Sequence, residues 1–420
     1  MTNTRVCIAS VNPKITSGYG VGCKTLCHML IDAGYDICIY SVFGNYEYID
    51  TYTYKDIEVK IYPSRANNKD RLKGLEHVEL VENFDILFTF FDLFAFTSTE
   101  KKYPVVSWIM LDAEPFVSSN YRMLETVDVI VAVTNYAKEQ LEQLRTKNII
   151  KDKQKIIYMP LITNENEFFI EDKELSRRRF ADYFKIKLEG NLFSCVAANL
   201  EDGGKERKNY PELILFWREW FKNHPKDVLY LHTDIQGVLD KGMNIHKLIV
   251  SLDVPVKNIC FSNAILYEAS DYDSAYMRMM YNASDFMIVP SHSEGFGIPF
   301  CEAAFCGCTP LGNGFGSGGE VVKNCNGELI ECRRSYFFDG SFKSKSYAED
   351  IYNAVNRAMM NKSDANRLKC NEMAMSEYSI SSNIDRLHEV MNIAKDNYKC
   401  KIKQENLTEV KNRLYGWRKK

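Results

Sequence analysis

The sequence predicts an α/β protein built from two doubly wound, mostly parallel sheets. Three observations carry that prediction. Short, near-continuous apolar runs recur along the chain, as strands covered by helices on both faces require. Helical stretches with one apolar side alternate with them. A polar, charged stretch at 163–188 then divides the rhythm into two halves. The first half opens with a strand at 6–9, a loop as far as Gly22, a helix at 24–33 stopped by Gly34, and a strand at 37–41. Strands at 86–90, 105–110 and 129–133, a helix at 137–144 and a last strand at 156–160 complete it. After a helical segment at 175–184, strands at 193–198, 229–232, 259–261 and 286–289 repeat the pattern. The tail, 380–420, is helical by pattern and ends in three basic residues. The expected divisions are 1–165, 166–380 and 381–420.

Composition narrows the function. Charged residues make up 26% of the chain and the net charge is −3, which gives no sign of a general nucleic-acid binder. The first residues contain no long apolar core, so no signal peptide is expected. No run approaches the ~18 apolar residues of a membrane helix. Cysteines number 13 and scatter through predicted strands and helices, which fits reduced, buried thiols and a cytoplasmic location. Peripheral contact with a membrane stays open, without stable insertion. Cys301, Cys306 and Cys308 lack the spacing of a zinc site, and no metal is expected. The aromatic cluster at 216–221 spreads around a helix and is expected to be core.

The most informative stretch is 289–311. Glu294 and Glu302 stand at the two ends of a turn containing Gly295, Phe296 and Gly297, followed by Ile298, Pro299 and a helix start. Carboxylates so placed can meet the hydroxyls of one polar ligand, and the glycines let backbone approach it. A helix N-terminus after a glycine turn favours an anion such as a diphosphate. With Pro290, Ser291, Ala303 and Gly307, this segment resembles the Glu-x7-Glu signature of retaining glycosyltransferases of the GT-B fold, group 1, closest to family four. Pro310 comes one residue later than in the family.

The resemblance implies two Rossmann-like domains facing a cleft, with C-terminal helices crossing back to the first. It implies a UDP- or GDP-sugar donor, retention of anomeric configuration and no cofactor or metal. Glu302 resembles the glutamate that binds ribose, and Glu294 the one near the donor sugar. The stretch 199–213 resembles the element that holds the diphosphate: Lys208 matches the family lysine, Arg207 stands in for an arginine absent near Ala198, and Asn199 lies beside that position. A glycine-rich turn over 312–322 is expected to present Ser317 and Gly318 to the donor. Gly18, Gly20 and Gly22 crowd the first loop, where Gly18 and Gly20 are expected to face the ligand. Asp112 follows the strand at 105–110 and is a candidate for orienting acceptor or sugar; Asp92 is a further cleft candidate.

The resemblance implies a glycosyltransferase acting on a hydroxyl of a glycan, lipid-linked sugar, protein or modified nucleic acid. Glu294, Lys208, Arg207 and Asp112 are its expected catalytic residues. The acceptor and the oligomeric state are not written in the sequence. Two alternatives stay open: a sugar-nucleotide epimerase of the same fold, and a non-catalytic sugar-nucleotide-binding subunit. A nucleotide hydrolase is disfavoured, because Cys23 separates Gly22 from Lys24 and breaks the phosphate-loop pattern.

Overall fold

The computed structural model describes residues 4–44, 48–64, 74–93, 103–116, 121–202, 205–237, 242–337 and 340–416. Two separate α/β sheets organise the chain. The first has eight strands, in spatial order Asp50–Tyr54, Ile57–Pro63, Asp36–Phe43, Arg5–Val11, Ile86–Phe90, Val105–Ile109, Val129–Ala132 and Lys155–Tyr158. All pair in parallel except the edge strand Asp50–Tyr54, which runs antiparallel to Ile57–Pro63. The second has six parallel strands: Ile259–Phe261, Val228–His232, Leu192–Val196, Phe286–Val289, Thr309–Asn313 and Glu328–Ile330.

The central strands are buried on both faces, because helices cover each sheet from two sides. Trp108 anchors the first core: its ring packs on Phe88 and Phe90, and its Nε1 donates to the Met159 carbonyl at 2.8 Å. In the second, Phe193 lies against Trp217, Trp220 and Phe286. The aromatic cluster at 216–221 is therefore core, as its helical spacing implied. Twelve of the cysteines are free thiols, and all of these but Cys332 are buried. No helix among the described residues is long and apolar enough to cross a membrane.

The chain passes between the halves twice at one place. Thr163 and Ser379 form a parallel bridge, and the Thr163 amide donates to the Tyr378 carbonyl at 2.8 Å. Glu165 then caps the last helix, Ile380–Gly416, accepting from the amides of Ile380 and Ser381 at 2.9 and 3.0 Å. That helix returns to the first half and packs on the helix Gly18–Asp32 and on the strands Val105–Ile109 and Val129–Ala132.

Three local expectations change. The first helix starts at Gly18, capped by Ser17 accepting from the Gly20 amide at 3.1 Å, so the three glycines lie in its opening turns and not in a loop. The 312–322 segment is not a turn throughout; it is the end of a strand followed by the helix Gly316–Asn324. The edge hairpin at 50–63 and the hairpin Arg333–Tyr336/Phe342–Lys345 are additional, because their alternating polar residues carry no buried-strand signal.

Gly20 is fixed by packing. A Cβ there would fall on the Ile15 carbonyl, whereas one at Gly18 would meet nothing within 4 Å. Gly20→Ala is expected to lower stability by about 1–3 kcal/mol. Gly18→Ala should leave the thermal midpoint unchanged or raise it, since alanine favours the helix. Thermal denaturation of both variants checks this pair.

Candidate active site

The carboxyl ends of both sheets open onto one cavity of about 850 Å³. That is where open α/β sheets hold ligands. Glu294, Lys208, Arg207, Asp112, Glu302, Gly295, Phe296, Gly297, Ile298 and Gly18 all line it. Residues from 13–25 and 92–112 of the first half face residues from 196–208 and 289–302 of the second across it.

Glu294 sits at the centre. Lys208 Nζ donates to its Oε1 at 2.6 Å, and Arg207 Nη2 lies 3.9 Å from its Oε2. Burial alone would raise the Glu294 pKa, but the charges of Lys208 and Arg207 outweigh it and hold the carboxyl below its usual range. The turn that supplies the two cations is itself clamped. The half-buried Glu206 carboxylate accepts from the amides of Lys208 at 2.7 Å and Tyr210 at 3.0 Å, just ahead of the helix Tyr210–Asn223. Burial pushes Glu206 up to about 7, opposed by those amide bonds. Arg207 Nε donates to the Ser293 carbonyl at 3.3 Å, which ties this turn to the Glu294 loop.

The Glu294 loop is held from below and pressed from above. Asn313 Nδ2 donates to the carbonyls of Pro290 and Ser291 at 3.2 and 2.8 Å. A Cβ at Gly295 would lie 2.9 Å from Met110 Cβ of the other half, so only glycine allows that approach. Gly297 adopts φ +96°, open to glycine alone at little cost, and turns the chain into the helix Ile298–Phe305. Glu302 projects from that helix, 8% exposed. Tyr281 Oη donates to its Oε2 at 2.9 Å. Burial pushes Glu302 up to about 7, with the Tyr281 hydroxyl pulling the other way.

Four expected residues do not line the cavity. Gly20 is turned into the Ile15 carbonyl. Asn199 Nδ2 donates to the Asp234 and Met243 carbonyls, both at 2.7 Å, which fastens a neighbouring loop. Ser317 is buried between the halves, its Oγ donating to the Leu111 carbonyl at 2.7 Å and lying 2.9 Å from Thr134 Oγ1. Gly318 packs behind Glu294: a Cβ there would be 2.8 Å from Glu294 Cβ. Asp112 Oδ2 accepts from Ser293 Oγ at 3.4 Å across the cleft.

Asp92, a cleft candidate from the sequence, lines the cavity, but the polar partners around it and around Glu302 escaped sequence reasoning. Tyr19 donates to Asp92 at 2.6 Å, and Lys24 to Glu167 at 2.6 Å, over separations of 73 and 143 residues that no local spacing reveals. Tyr281 was equally silent, 21 positions ahead of its partner Glu302.

Residues 270–373 match the family model described as glycosyl transferases group 1. No curated protein matches the chain. Among solved structures, it is similar to sucrose-phosphate synthase from Thermosynechococcus elongatus: 13% identity over 93% of this chain and 98% of that one, TM-score 0.70. HepE from Anabaena in complex with UDP-glucose is 13% identical over 93% and 100%, TM-score 0.66. The catalytic domain of starch synthase IV from Arabidopsis thaliana is 11% identical over 94% and 100%, TM-score 0.65. The fold is GT-B.

The Glu302 carboxyl gives a prediction for pH. Its folded pKa, about 7, lies above the ordinary value of 4.5, so the folded chain holds this proton more tightly than the unfolded chain. The resulting stabilisation is complete below pH 4.5 and is lost as pH rises through about 7. Relative to Glu302→Gln, the ligand-free protein should therefore lose stability across that window, as thermal midpoints at stepped pH will register.

Proposed function

We infer, for a chain that belongs to the group 1 glycosyltransferases, that it moves a sugar from a UDP- or GDP-sugar to an acceptor hydroxyl, with retention and without a metal. The observation that carries this reading is the largely buried Lys208–Glu294 pair, with Arg207 beside it and Glu302 within the same cavity. Departure of a nucleoside diphosphate builds negative charge on its leaving oxygen, and fixed cations lower that barrier. Lys208 and Arg207 are the groups to do so. Glu294 keeps Lys208 charged and in place before the donor arrives, then turns to the donor sugar. Glu302 accepts from the ribose hydroxyls, while Tyr281 occupies its second oxygen.

In this reading the acceptor approaches the anomeric carbon on the face the diphosphate leaves. The new carbon–oxygen bond forms, the carbon–phosphate-oxygen bond breaks, and the acceptor proton passes to the departing diphosphate. Asp112, opposite Ser293, borders the approach. HepE binds UDP and UDP-glucose in its solved complexes, which supports a nucleotide-sugar donor here.

The test is release of free nucleoside diphosphate from a panel of UDP-, GDP-, ADP- and TDP-sugars in excess EDTA. One donor should be consumed, and Glu302→Ala should abolish that by loss of donor affinity. Lys208→Ala should lower kcat by about 10²–10³ with a smaller change in KM, because its partner's charge grows in the transition state. Product anomers read by NMR check retention. Turnover that needs a divalent cation, or that ignores both substitutions, refutes the assignment.

A further inference from the structure

The wall contributed by the first half has an unusual charge balance. Among the described residues, the two lysines on this wall are already neutralised: Lys14 Nζ lies 2.8 Å from Asp50, and Lys24 Nζ lies 2.6 Å from Glu167. Two described carboxylates on this wall, Asp92 and Asp112, are met by hydroxyls: Tyr19 Oη donates to Asp92 Oδ1 at 2.6 Å, and Ser293 Oγ to Asp112 Oδ2 at 3.4 Å. Both carboxylates line the cavity, as do Tyr19 and Thr16. Burial raises the Asp92 pKa, opposed by the Tyr19 hydrogen bond and by the charge of Arg207 on the opposite wall. Under the proposed function Arg207 is engaged by the donor diphosphate, which leaves this wall acidic beside a second anion.

We propose that the acceptor's reacting unit is an uncharged polyol, a neutral sugar residue, held by Asp92 and Asp112. This rests on the donor reading above and extends it to the other substrate. A carboxylate is an acceptor-only group when ionised, so it suits the O–H donors of a sugar. A phosphorylated sugar, a nucleic-acid backbone or an anionic headgroup at this position would face two carboxylates and the donor diphosphate, with like charges confined in a closed cleft. The Tyr19 ring, packed on Phe90 at 5.2 Å and on Phe91 at 4.9 Å, is fixed as part of the same surface. Its hydroxyl orients Asp92 and so acts as a positioning group. In the transfer step the acceptor oxygen bonds to the donor's anomeric carbon, the bond from that carbon to the diphosphate breaks, and the hydroxyl proton leaves with the diphosphate.

The experiment uses the full chain saturated with UDP, and separately with GDP. Methyl glycosides of glucose, galactose, mannose and N-acetylglucosamine are mixed with their 6-phosphates, and binding is read by saturation-transfer NMR. A neutral glycoside should bind and its 6-phosphate should not. Asp92→Asn should weaken that glycoside by about 10- to 100-fold, the worth of a hydrogen bond to a charged group. Nucleotide affinity should stay within about twofold, since this side chain lies on the opposite wall. Tyr19→Phe should weaken the glycoside less and leave the fold intact. Preference for a 6-phosphate, binding by none of the neutral glycosides, or an Asp92→Asn variant that binds like the parent overturns the proposal. Failure to bind either nucleotide is a different result: it removes the donor reading first, and this one with it.

Discussion

The site depends on a charge pair taken out of bulk water. Lys208 and Glu294 have side chains only 10% and 15% exposed, and their nitrogen and oxygen lie 2.6 Å apart. Removing one partner of a buried pair costs about 3–5 kcal/mol, because the other is left uncompensated. Much of the surrounding architecture keeps that pair in register. Glu206 clamps the turn before Lys208, Asn313 holds the loop before Glu294, and Gly318 yields the space behind it. Each comes from a different element of the second sheet's carboxyl edge. The pair therefore marks where that edge converges, and it sits where a leaving group needs positive charge.

The same edge is closed against the first half by polar contacts of high sequence separation. Glu320 offers its carboxylate to the amides of Asn135 and Tyr136 at 2.9 and 2.8 Å, at the start of the helix Asn135–Thr146. A carboxylate there meets the positive end of the helix dipole. Ser317 bridges Leu111 and Thr134 beside it, and the backbones of Glu114 and Phe342 exchange two hydrogen bonds. These contacts are hydrogen bonds more than apolar packing, which suits an interface that opens and closes on ligand.

The parts legible in the sequence were those with local signals. The buried strands around Ile86, Val105, Val129 and Phe286 announce themselves as apolar runs, and Glu294 with Glu302 as a patterned turn. Helix starts were less legible: the glycines at 18, 20 and 22 suggest a loop, yet Ser17 caps a helix through them, since capping and tertiary packing override glycine's weak propensity. Contacts between distant residues left no trace. Tyr19 with Asp92, Lys24 with Glu167 and Tyr281 with Glu302 are made by topology, which brings helices and loops distant in sequence together. Ser317 and Asn199 were visible as polar residues near the site, but only the fold reveals that backbone carbonyls already occupy them.

The return of the helix Ile380–Gly416 to the first half bears on how the molecule is made. That half takes its opening helix from residues 18–32 and its covering helix from the far end of the chain. At about 5–20 residues per second of synthesis, its first strand waits tens of seconds for the segment that covers it. The second half has no such debt, because its six strands, 192–330, are contiguous. The half that leaves the ribosome first is thus covered last, by the helix that begins at Ile380.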